Sequence, residues 1–202
     1  MPPALTVLIP AAGLSSRMRG RDKLIEQVDG VPLLRRQVRI ALHLNAKVFV
    51  TLPPEDTSRA ESLADLAKTN LTIQRLANAS EGMSASLRAG AAFCQRTDHD
   101  GLMIFLPDLP DLTRDDLTLM ARIFAQDPTQ PVRATDCTGR AGHPVILPRH
   151  VLPGLAALRG DDGARDILRA SPPRLCPLPD HHATLDLDTP EAWAAWRAHR
   201  SN

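Results

Sequence analysis

The stretch Leu8-Ile-Pro-Ala-Ala-Gly-Leu-Ser-Ser-Arg-Met-Arg-Gly-Arg-Asp-Lys23 carries most of the structural information in this chain. The aliphatic and β-branched residues at 6–9 predict a buried strand that ends at Pro10. A loop of small residues follows, and such residues let a ligand approach the backbone closely. Consecutive N–H groups in such a loop form a concavity that binds anions. The segment therefore predicts a phosphate-binding loop at the C-terminal end of a first strand, where open α/β sheets bind ligands.

Two cationic side chains, Arg17 and Lys23, extend this loop. Backbone amides and two fixed positive charges together suit a triphosphate. The chain has neither the P-loop spacing nor the dinucleotide fingerprint, because Gly13 stands alone where those motifs need further glycines. A strand-to-helix turn that is simply basic, with no ligand, is the alternative.

Length and composition limit the classes of protein to consider. The 202 residues predict a single domain, 1–202, with a sizeable core. Charge is nearly balanced, at 24 Lys and Arg against 23 Asp and Glu, and aromatic residues make up 3% of the chain, with no Tyr. A long basic stripe and aromatic stacking platforms are therefore missing from the sequence, and we expect no nucleic-acid partner.

Cysteine usage and hydropathy bear on the compartment. The three cysteines are far apart and odd in number, which fits neither a disulfide framework nor a zinc site. No segment approaches the roughly 20 apolar residues that a membrane span requires. The first residues lack the basic region of a secretion signal. We therefore expect a cytoplasmic protein that does not associate with membranes.

Strand and helix patterns alternate along the chain, which is typical of a parallel sheet covered by helices. The patterns predict strands at 6–9, 24–28, 47–52, 71–75 and 101–106, and a hairpin of 131–134 with 145–147. They predict helices from Pro32, at 59–68, at 84–94, after Thr113, at 151–158, at 163–168 and from Pro190. The predicted fold is α/β: a three-layer α/β/α arrangement around a mostly parallel, twisted sheet with a small β-hairpin.

Aspartates follow the most apolar strand and precede the last helix. Asp108 comes just after the strand at 101–106, where the phosphates of a nucleotide would lie. Asp186 and Asp188 alternate along an extended segment, so they point to one side. Mg²⁺ commonly binds one or two protein carboxylates together with phosphates and water. Asp108 with Asp186 or Asp188 is therefore a candidate metal site, and capping of a turn or a helix is the alternative.

The segment Glu81-Gly-Met-Ser-Ala-Ser86 predicts a tight turn at Gly82 and a helix capped by Ser84. Free N–H groups at a helix N-terminus attract hydrogen-bond acceptors. Gly82, Ser84 and Ser86 are therefore candidate contacts for a nucleotide. An ordinary capped core helix explains this segment equally well.

Two later segments are candidates for contact with a second substrate. His143 lies in Gly-Arg-Ala-Gly-His-Pro (139–144), where the following proline favours an extended backbone. Arg165 ends Gly-Asp-Asp-Gly-Ala-Arg (160–165) and could bind an anion. A lone histidine is more often structural, so a structural role for His143 is the alternative.

Several motifs occur together in a fixed order: Ala-Ala-Gly-Leu-Ser-Ser-Arg-Met with Lys23, Gly-Met-Ser-Ala-Ser-Leu-Arg-Ala-Gly, Pro-Asp-Leu-Pro, Gly-His-Pro-Val, Gly-Asp-Asp-Gly-Ala-Arg and Asp-Leu-Asp-Thr-Pro. In this combination the chain, from Leu8 to Trp196, resembles the molybdenum cofactor nucleotidyltransferases, and most of all their cytidylyltransferase branch. The opening motif is shared by many nucleotidyltransferases, whereas Gly-His-Pro and Gly-Asp-x-Gly-Ala-Arg are narrower. Arg19 departs from the family pattern by lengthening the loop before Lys23.

The resemblance implies a GT-A-like fold and a Mg²⁺-dependent transfer of CMP from CTP to the phosphate of molybdopterin or the molybdenum cofactor, with release of pyrophosphate. In this interpretation Arg17, Lys23 and Asp108 are catalytic: the first two hold the triphosphate and the third holds the metal. Contacts to the nucleotide would come from Ala11, Ala12, Gly13, Ser16, Gly82, Ser84 and Ser86. Contacts to the acceptor would come from His143 and Arg165.

A molybdenum hydroxylase that receives the product is a further implied partner. Alternatives stay open from the sequence alone. The acceptor could be a different phosphorylated metabolite such as a sugar phosphate, the nucleotide could be GTP, or the chain could be a non-catalytic carrier of the molybdenum cofactor.

Overall fold

One mostly parallel sheet organises the fold, which the computed structural model describes for residues 4–66, 70–160 and 163–200. The strands are β1 (Leu5–Pro10), β2 (Gln27–Val28), β3 (Val31–Pro32), β4 (Lys47–Leu52), β5 (Leu71–Arg75), β6 (Gly101–Ile104), β7 (Val132–Thr135), β8 (Ala141–Pro148) and β9 (Arg174–Pro177). The main sheet has the order β5-β4-β1-β6-β8-β7-β9, and β2 pairs separately with β3. Within the described sheet, β8 alone runs antiparallel to its neighbours.

Helices cover both faces of this sheet. They are α1 (Leu33–Leu42), α2 (Ser58–Leu63), α3 (Met83–Arg96), α4 (Arg114–Gln126), α5 (Arg165–Ala170) and α6 (Pro190–Arg200), with 3-10 segments at Ser16–Met18, Ala79–Glu81 and Arg149–Ala157. In β1, Val7 and Ile9 share a core with α1, α4 and α6, whereas Leu8 shares a core with α3 and α5. Alternate side chains of a strand point to opposite faces, so the predicted three-layer α/β/α arrangement is confirmed.

Helix α3 lies directly against β1. A Cβ atom added to Gly90 would come within 2.6 Å of Cδ2 of Leu8, so the close approach depends on glycine at this position. At the start of the helix, Ala85 packs in a small cluster with Ala12. The first turn of α3 is thereby fixed beside the loop that follows β1.

Several local predictions need correction. Only residues 27–28 of the predicted strand at 24–28 pair, and Asp29-Gly30 turns the chain into β3 with φ values of 52° and 76°. The predicted helix at 151–158 is the 3-10 segment Arg149–Ala157, because Pro153 inside it lacks the N–H that an α-helix needs.

Two other predicted helices are shorter or displaced. The helix predicted at 59–68 is α2, which ends at Leu63, and residues 67–68 of that prediction lie outside the described residues. The helix predicted at 163–168 is α5, which begins at Arg165. The predicted hairpin is confirmed as β7 with β8.

Across the described ranges, no helix combines the length and the apolar character that crossing a bilayer requires.

Candidate active site

Lys23 lies between two carboxylates at the C-terminal edge of the sheet. Its Nζ atom donates to Oδ2 of Asp108 at 2.6 Å and to Oδ1 of Asp188 at 2.5 Å. The segments after β1 and β6 meet there because these strands are adjacent and parallel. The N–H of Leu187 donates to the carbonyl of Asp108 at 3.1 Å, which holds the segment before α6 at the same edge.

Arg17 approaches this cluster from the loop after β1. Its Nη2 atom lies 2.7 Å from Oδ2 of Asp188, and its side chain remains 70% exposed. The backbone of the loop adopts left-handed conformations at Ser15 and Arg19, with φ values of 50° and 53°. With this path, Lys23 reaches both carboxylates although the loop is longer than in the family pattern.

Neighbouring charges set the protonation of the cluster. Burial lowers the pKa of Lys23, but the charges and hydrogen bonds of Asp108 and Asp188 outweigh burial and raise that pKa overall. Burial raises the pKa of Asp188, but Lys23 and Arg17 together bring it below its usual value. Partial burial and the nearby charges of Asp188 and Asp108 raise the pKa of Asp186. Lys23 and Asp188 are therefore both charged at neutral pH.

One oxygen atom of the cluster lacks a partner. Oδ1 of Asp108 is buried and accepts no hydrogen bond from any residue that the structure describes. A buried acceptor without a partner is costly, and carboxylate oxygens are preferred ligands of Mg²⁺. Asp108 and Asp188 therefore fit a divalent cation. Since the described ranges hold no group of three or more His, Cys, Asp or Glu side chains placed to bind a metal, further ligands would come from substrate or water.

The cluster lines a cleft of about 380 Å³, which we call the first cleft. Its walls are the loop after β1, the turn before α3 and the segment after β6. The predicted site residues in these walls are Gly13, Ser16, Arg17, Lys23, Gly82, Ser86, Asp108 and Asp188. Within the described part of the chain, the amides of residues 13–16 donate no hydrogen bond, so they are available to an anionic ligand.

Three residues predicted to belong to the site, Ala11, Ala12 and Asp186, do not line the first cleft. Ala11 and Ala12 are buried beneath the loop. The N–H of Ala11 is already used, since it donates to the carbonyl of Thr51 at 3.0 Å. Asp186 is exposed. Of the two alternating aspartates, it is Asp188 that faces the first cleft.

Ser84 also lies outside the cleft walls, and its predicted role as helix cap is wrong. Helix α3 begins at Met83 with Gly82 as its N-cap, at a φ of 83° that favours glycine. Ser84 is therefore already inside the first turn, where it is buried and accepts a hydrogen bond from Arg88 at 3.1 Å. Ser86 accepts a hydrogen bond from Thr51 at 2.9 Å and contributes to the cleft wall.

A second cleft, of about 460 Å³, adjoins the first, because Met83 and Leu106 line both. The structure brings His143 and Arg165 together in its wall, although they belong to separate motifs. Arg133 of β7 lines the same cleft. The two sets of predicted contacts, to the nucleotide and to the acceptor, thus lie in neighbouring clefts.

The second cleft is positively charged. Burial and the charge of Arg165 lower the pKa of Arg133, which indicates that the two guanidinium groups are near one another. Neither of them forms an ion pair with a carboxylate among the residues described. Burial and the charge of Arg133 lower the pKa of His143 to about 4, against an opposing effect of Asp108. Asp166 and Arg169 also line the cleft, where they pair with each other at 2.8 Å. Beside this pair, the cleft offers the cations Arg133 and Arg165 and a neutral imidazole, which suits an anionic ligand.

The sequence patterns do not single out two arginines that the structure places at the site. Arg133 lies within a strand, and a charged side chain inside an otherwise apolar strand is the signal that could have identified it. Arg59 is 3% exposed beneath the loop after β1. Its position on a short helix gave no signal that distinguished it from a surface arginine.

Solved structures share this fold over nearly their whole length. Rv0371c from Mycobacterium tuberculosis H37Rv, solved as a complex with manganese, is 23% identical over 95% of this chain and 97% of its own, with a TM-score of 0.69. A nucleotidyl transferase from Methanothermobacter thermautotroptrophicus is 18% identical over 98% and 99%, with a TM-score of 0.75. CMP:2-keto-3-deoxy-manno-octonic acid synthetase complexed with CTP is 14% identical over 98% of each chain, with a TM-score of 0.74. The predicted α/β fold is confirmed by these likenesses.

The family follows from the sequence match. No protein of curated function matches the chain. Residues 7–175 match the family model described as MobA-like NTP transferase domain, and this match covers most of the chain. The protein therefore belongs to the family of MobA-like NTP transferase domains.

Proposed function

We propose that this chain transfers CMP from CTP to the phosphate of molybdopterin, or of its metal-loaded form, and releases pyrophosphate. The contact of Lys23 with Asp108 and Asp188 carries the proposal, because it joins a cation and two carboxylates at the sheet edge where α/β folds bind nucleotides. Family membership supports a nucleoside triphosphate as the donor. The motif resemblance described above supports molybdopterin as the acceptor.

The triphosphate would lie on the loop after β1. Amides of residues 13–16 would donate to its oxygens, and Arg17 and Lys23 would neutralise the charge that builds on the leaving pyrophosphate. Gly82 and Ser86, from the turn before α3, would contact the base. CTP is supported by a structural neighbour that was solved with CTP, and GTP is the alternative.

Asp108 and Asp188 would hold a divalent cation, which we propose to be Mg²⁺. The unpartnered Oδ1 atom of Asp108 supports this site, as does the neighbour solved in complex with manganese. When bound, the ion would supply charge neutralisation on the phosphate oxygens. Lys23 would then be free to contact the triphosphate. Asp186 would act on the site only through its charge, which lies near Asp188.

The transfer requires no general base from the protein, because the attacking phosphate of the acceptor is already anionic. One of its oxygens would attack the α-phosphorus in line, and a P–O bond would form as the bond to the β-phosphate oxygen breaks. The electron pair of the broken bond leaves on pyrophosphate, beside Arg17 and Lys23. Catalysis by the chain would consist of positioning and of charge stabilisation.

The second cleft would hold the acceptor. Arg133 and Arg165 would attract its anionic groups, and the apolar side chains of Leu87 and Val145 would pack against its ring system. The neutral imidazole of His143 has one donor and one acceptor nitrogen for the same ligand. A molybdenum hydroxylase would receive the cytidylylated product.

Nucleotide binding is the first test. The protein is incubated with Mg²⁺ and each of ATP, GTP, CTP and UTP, and the Tm is measured. We expect CTP to raise the Tm most, because a ligand that binds only the folded state stabilises it. A Tm that rises most with GTP would reassign the base.

Pyrophosphate release is the second test, with CTP, Mg²⁺ and either molybdopterin or a panel of sugar phosphates. Release that depends on molybdopterin supports the proposal. Release with a sugar phosphate alone would assign a different acceptor. Binding of molybdopterin without pyrophosphate release from any triphosphate would indicate a carrier, and either result would overturn the proposed reaction.

A further inference from the structure

Arg59 of α2 lies behind the loop that lines the first cleft, and its side chain is 3% exposed. We infer that Arg59 is a positioning residue for the proposed transfer: it holds the loop amides and Lys23 in the arrangement that a triphosphate requires. This inference rests on the proposed function, although Arg59 itself does not line the first cleft. Two sets of contacts, one to the loop and one to Asp22, support it.

The first set of contacts fixes the loop. The Nη1 atom of Arg59 donates to the carbonyl of Ala11 at 2.6 Å and to the carbonyl of Gly13 at 2.8 Å. Its Nη2 atom donates to Oγ of Ser15 at 3.3 Å. Because these carbonyls are turned towards Arg59, the path of the peptide groups between them is fixed from behind. The amides that face the cleft are thereby held from the opposite side of the loop.

The second set fixes Lys23 through its neighbour Asp22. Nε and Nη2 of Arg59 donate to the two carboxylate oxygens of Asp22 at 2.7 and 2.8 Å. The same carboxylate accepts from Oγ of Ser15 and from the N–H of Leu24, each at 3.0 Å. Asp22 therefore ties the backbone on both sides of Lys23 to Arg59. The lysine and the loop amides are held by one guanidinium group.

The charges and the donor geometry explain why the residue is an arginine. Asp22 and Asp56 compensate the charge of Arg59, and Oδ2 of Asp56 lies 3.0 Å from its Nε atom. Arg59 is therefore already paired and does not need a phosphate as its counter-ion. The planar guanidinium donates through Nη1 to two loop carbonyls and through Nε and Nη2 to the carboxylate of Asp22. The compact ammonium of a lysine cannot make this set of contacts. Arg59 thus differs from Arg17, which is exposed and lines the cleft.

The test compares Arg59→Lys with Arg35→Lys in the full chain. Arg35 is a matched control, because it donates to the carbonyl of Ser62 and pairs with Asp65, away from the first cleft. In hydrogen exchange, we expect the amides of the loop after β1 that donate hydrogen bonds to lose protection in Arg59→Lys and to keep it in Arg35→Lys. These are the amides of Ala11, Met18, Arg21 and Leu24. With CTP, Mg²⁺ and molybdopterin, we expect kcat for pyrophosphate release to fall about a hundredfold in Arg59→Lys alone, the size known for a misplacement of about 1 Å.

The outcomes separate a positioning role of Arg59 from a purely structural one. Wild-type protection of the amides of Ala11, Met18, Arg21 and Leu24 in Arg59→Lys overturns the inference. Lost protection with unchanged CTP affinity and kcat also overturns it, because Arg59 would then be structural only. If Arg59→Lys does not fold, hydrogen exchange and kcat are measured on Asp22→Asn instead, which weakens the contact between Arg59 and residue 22 while the arginine stays in place. If the wild-type protein neither binds CTP nor releases pyrophosphate, the proposed function fails, and hydrogen exchange alone decides whether Arg59 holds the loop.

Discussion

The Nζ atom of Lys23 lies 2.6 Å from Oδ2 of Asp108, a residue 85 positions further along the chain. This contact joins the loop after β1 to the segment after β6. Asp188 accepts a hydrogen bond from the same ammonium and also pairs with Arg17, so two cations and two carboxylates form one cluster. The roles proposed for the cluster can therefore be separated by changing one member at a time.

Lys23→Ala leaves Asp108 and Asp188 without their shared cation. We expect a loss of about 3–4 kcal/mol of transition-state stabilisation, the size measured for one electrostatic donor. Without metal, the Tm should also fall because the two carboxylates then repel one another. Added Mg²⁺ should raise the Tm of this variant more than that of the wild type. An unchanged rate of pyrophosphate release would remove Lys23 from the mechanism.

Asp108→Ala removes the oxygen atoms that would bind the metal. We expect pyrophosphate release to be lost while the fold is preserved, because the Asp108 side chain contacts Lys23 at the cleft rather than the apolar core. An assay of pyrophosphate release checks the loss of activity, and the circular dichroism spectrum checks that the fold is preserved. Near-normal release of pyrophosphate would contradict the role of Asp108.

Asp188→Asn and Asp186→Asn should differ, because only the first removes a charge from the wall of the first cleft. We expect Asp188→Asn to lose most activity and Asp186→Asn to keep most of it. The pKa of Asp186 is raised above 3.8, so its ionisation costs stability as the pH rises through both the unfolded and the folded pKa. Asp186→Asn should therefore raise the Tm near pH 7 and not below about pH 3. If Asp186→Asn lost as much activity as Asp188→Asn, Asp186 would be assigned as a metal ligand as well.

His143 should make the protein sensitive to acid. Its pKa falls from 6.5 to about 4 on folding, so between these values the unfolded chain binds a proton that the folded chain does not. Stability therefore decreases as the pH is lowered through this range. His143→Gln should remove that part of the decrease, measured as Tm against pH. If NMR showed the His143 imidazole of the folded protein titrating with a midpoint near 6.5, His143 would not account for the loss of stability in acid.

Gly90→Ala should destabilise the fold. The added Cβ would lie 2.6 Å from Cδ2 of Leu8, and overpacking of this kind costs about 1–3 kcal/mol, partly offset by about 1 kcal/mol from the helix preference of alanine. Leu8→Val makes room, so the double variant should lose less stability than the sum of the single variants. Denaturant unfolding of all four proteins checks this, and additive losses would show that the two residues do not clash.

Much of the sheet could be predicted because its strands have strong apolar patterns. The predicted bounds of the strands at 47–52 and 71–75 are those of β4 and β5. Strand β9 was not predicted, because it is a short edge strand in which only Cys176 is buried and Leu175 is exposed. A strand that buries one side chain leaves no alternating pattern in the sequence.

The meeting of Lys23 with Asp108 could be predicted because both follow strands whose carboxyl ends share a sheet edge. The second cleft could be predicted only in part. Motifs pointed to His143 and Arg165, but the place of Arg133 depends on β7 lying beyond the antiparallel β8, which strand patterns alone do not specify. Arg59 was missed because its burial results from tertiary contacts with Ala11, Gly13 and Asp22.

Met83 and Leu106 separate the two clefts and belong to the walls of both. A shift of either side chain that accommodates one ligand alters the shape offered to the other. If a ligand caused such a shift, occupancy of the two clefts would be thermodynamically coupled, and the factor by which the first ligand changes the affinity for the second would equal the factor in the reverse direction. Any cooperativity between ligands of the two clefts would then depend on these two side chains.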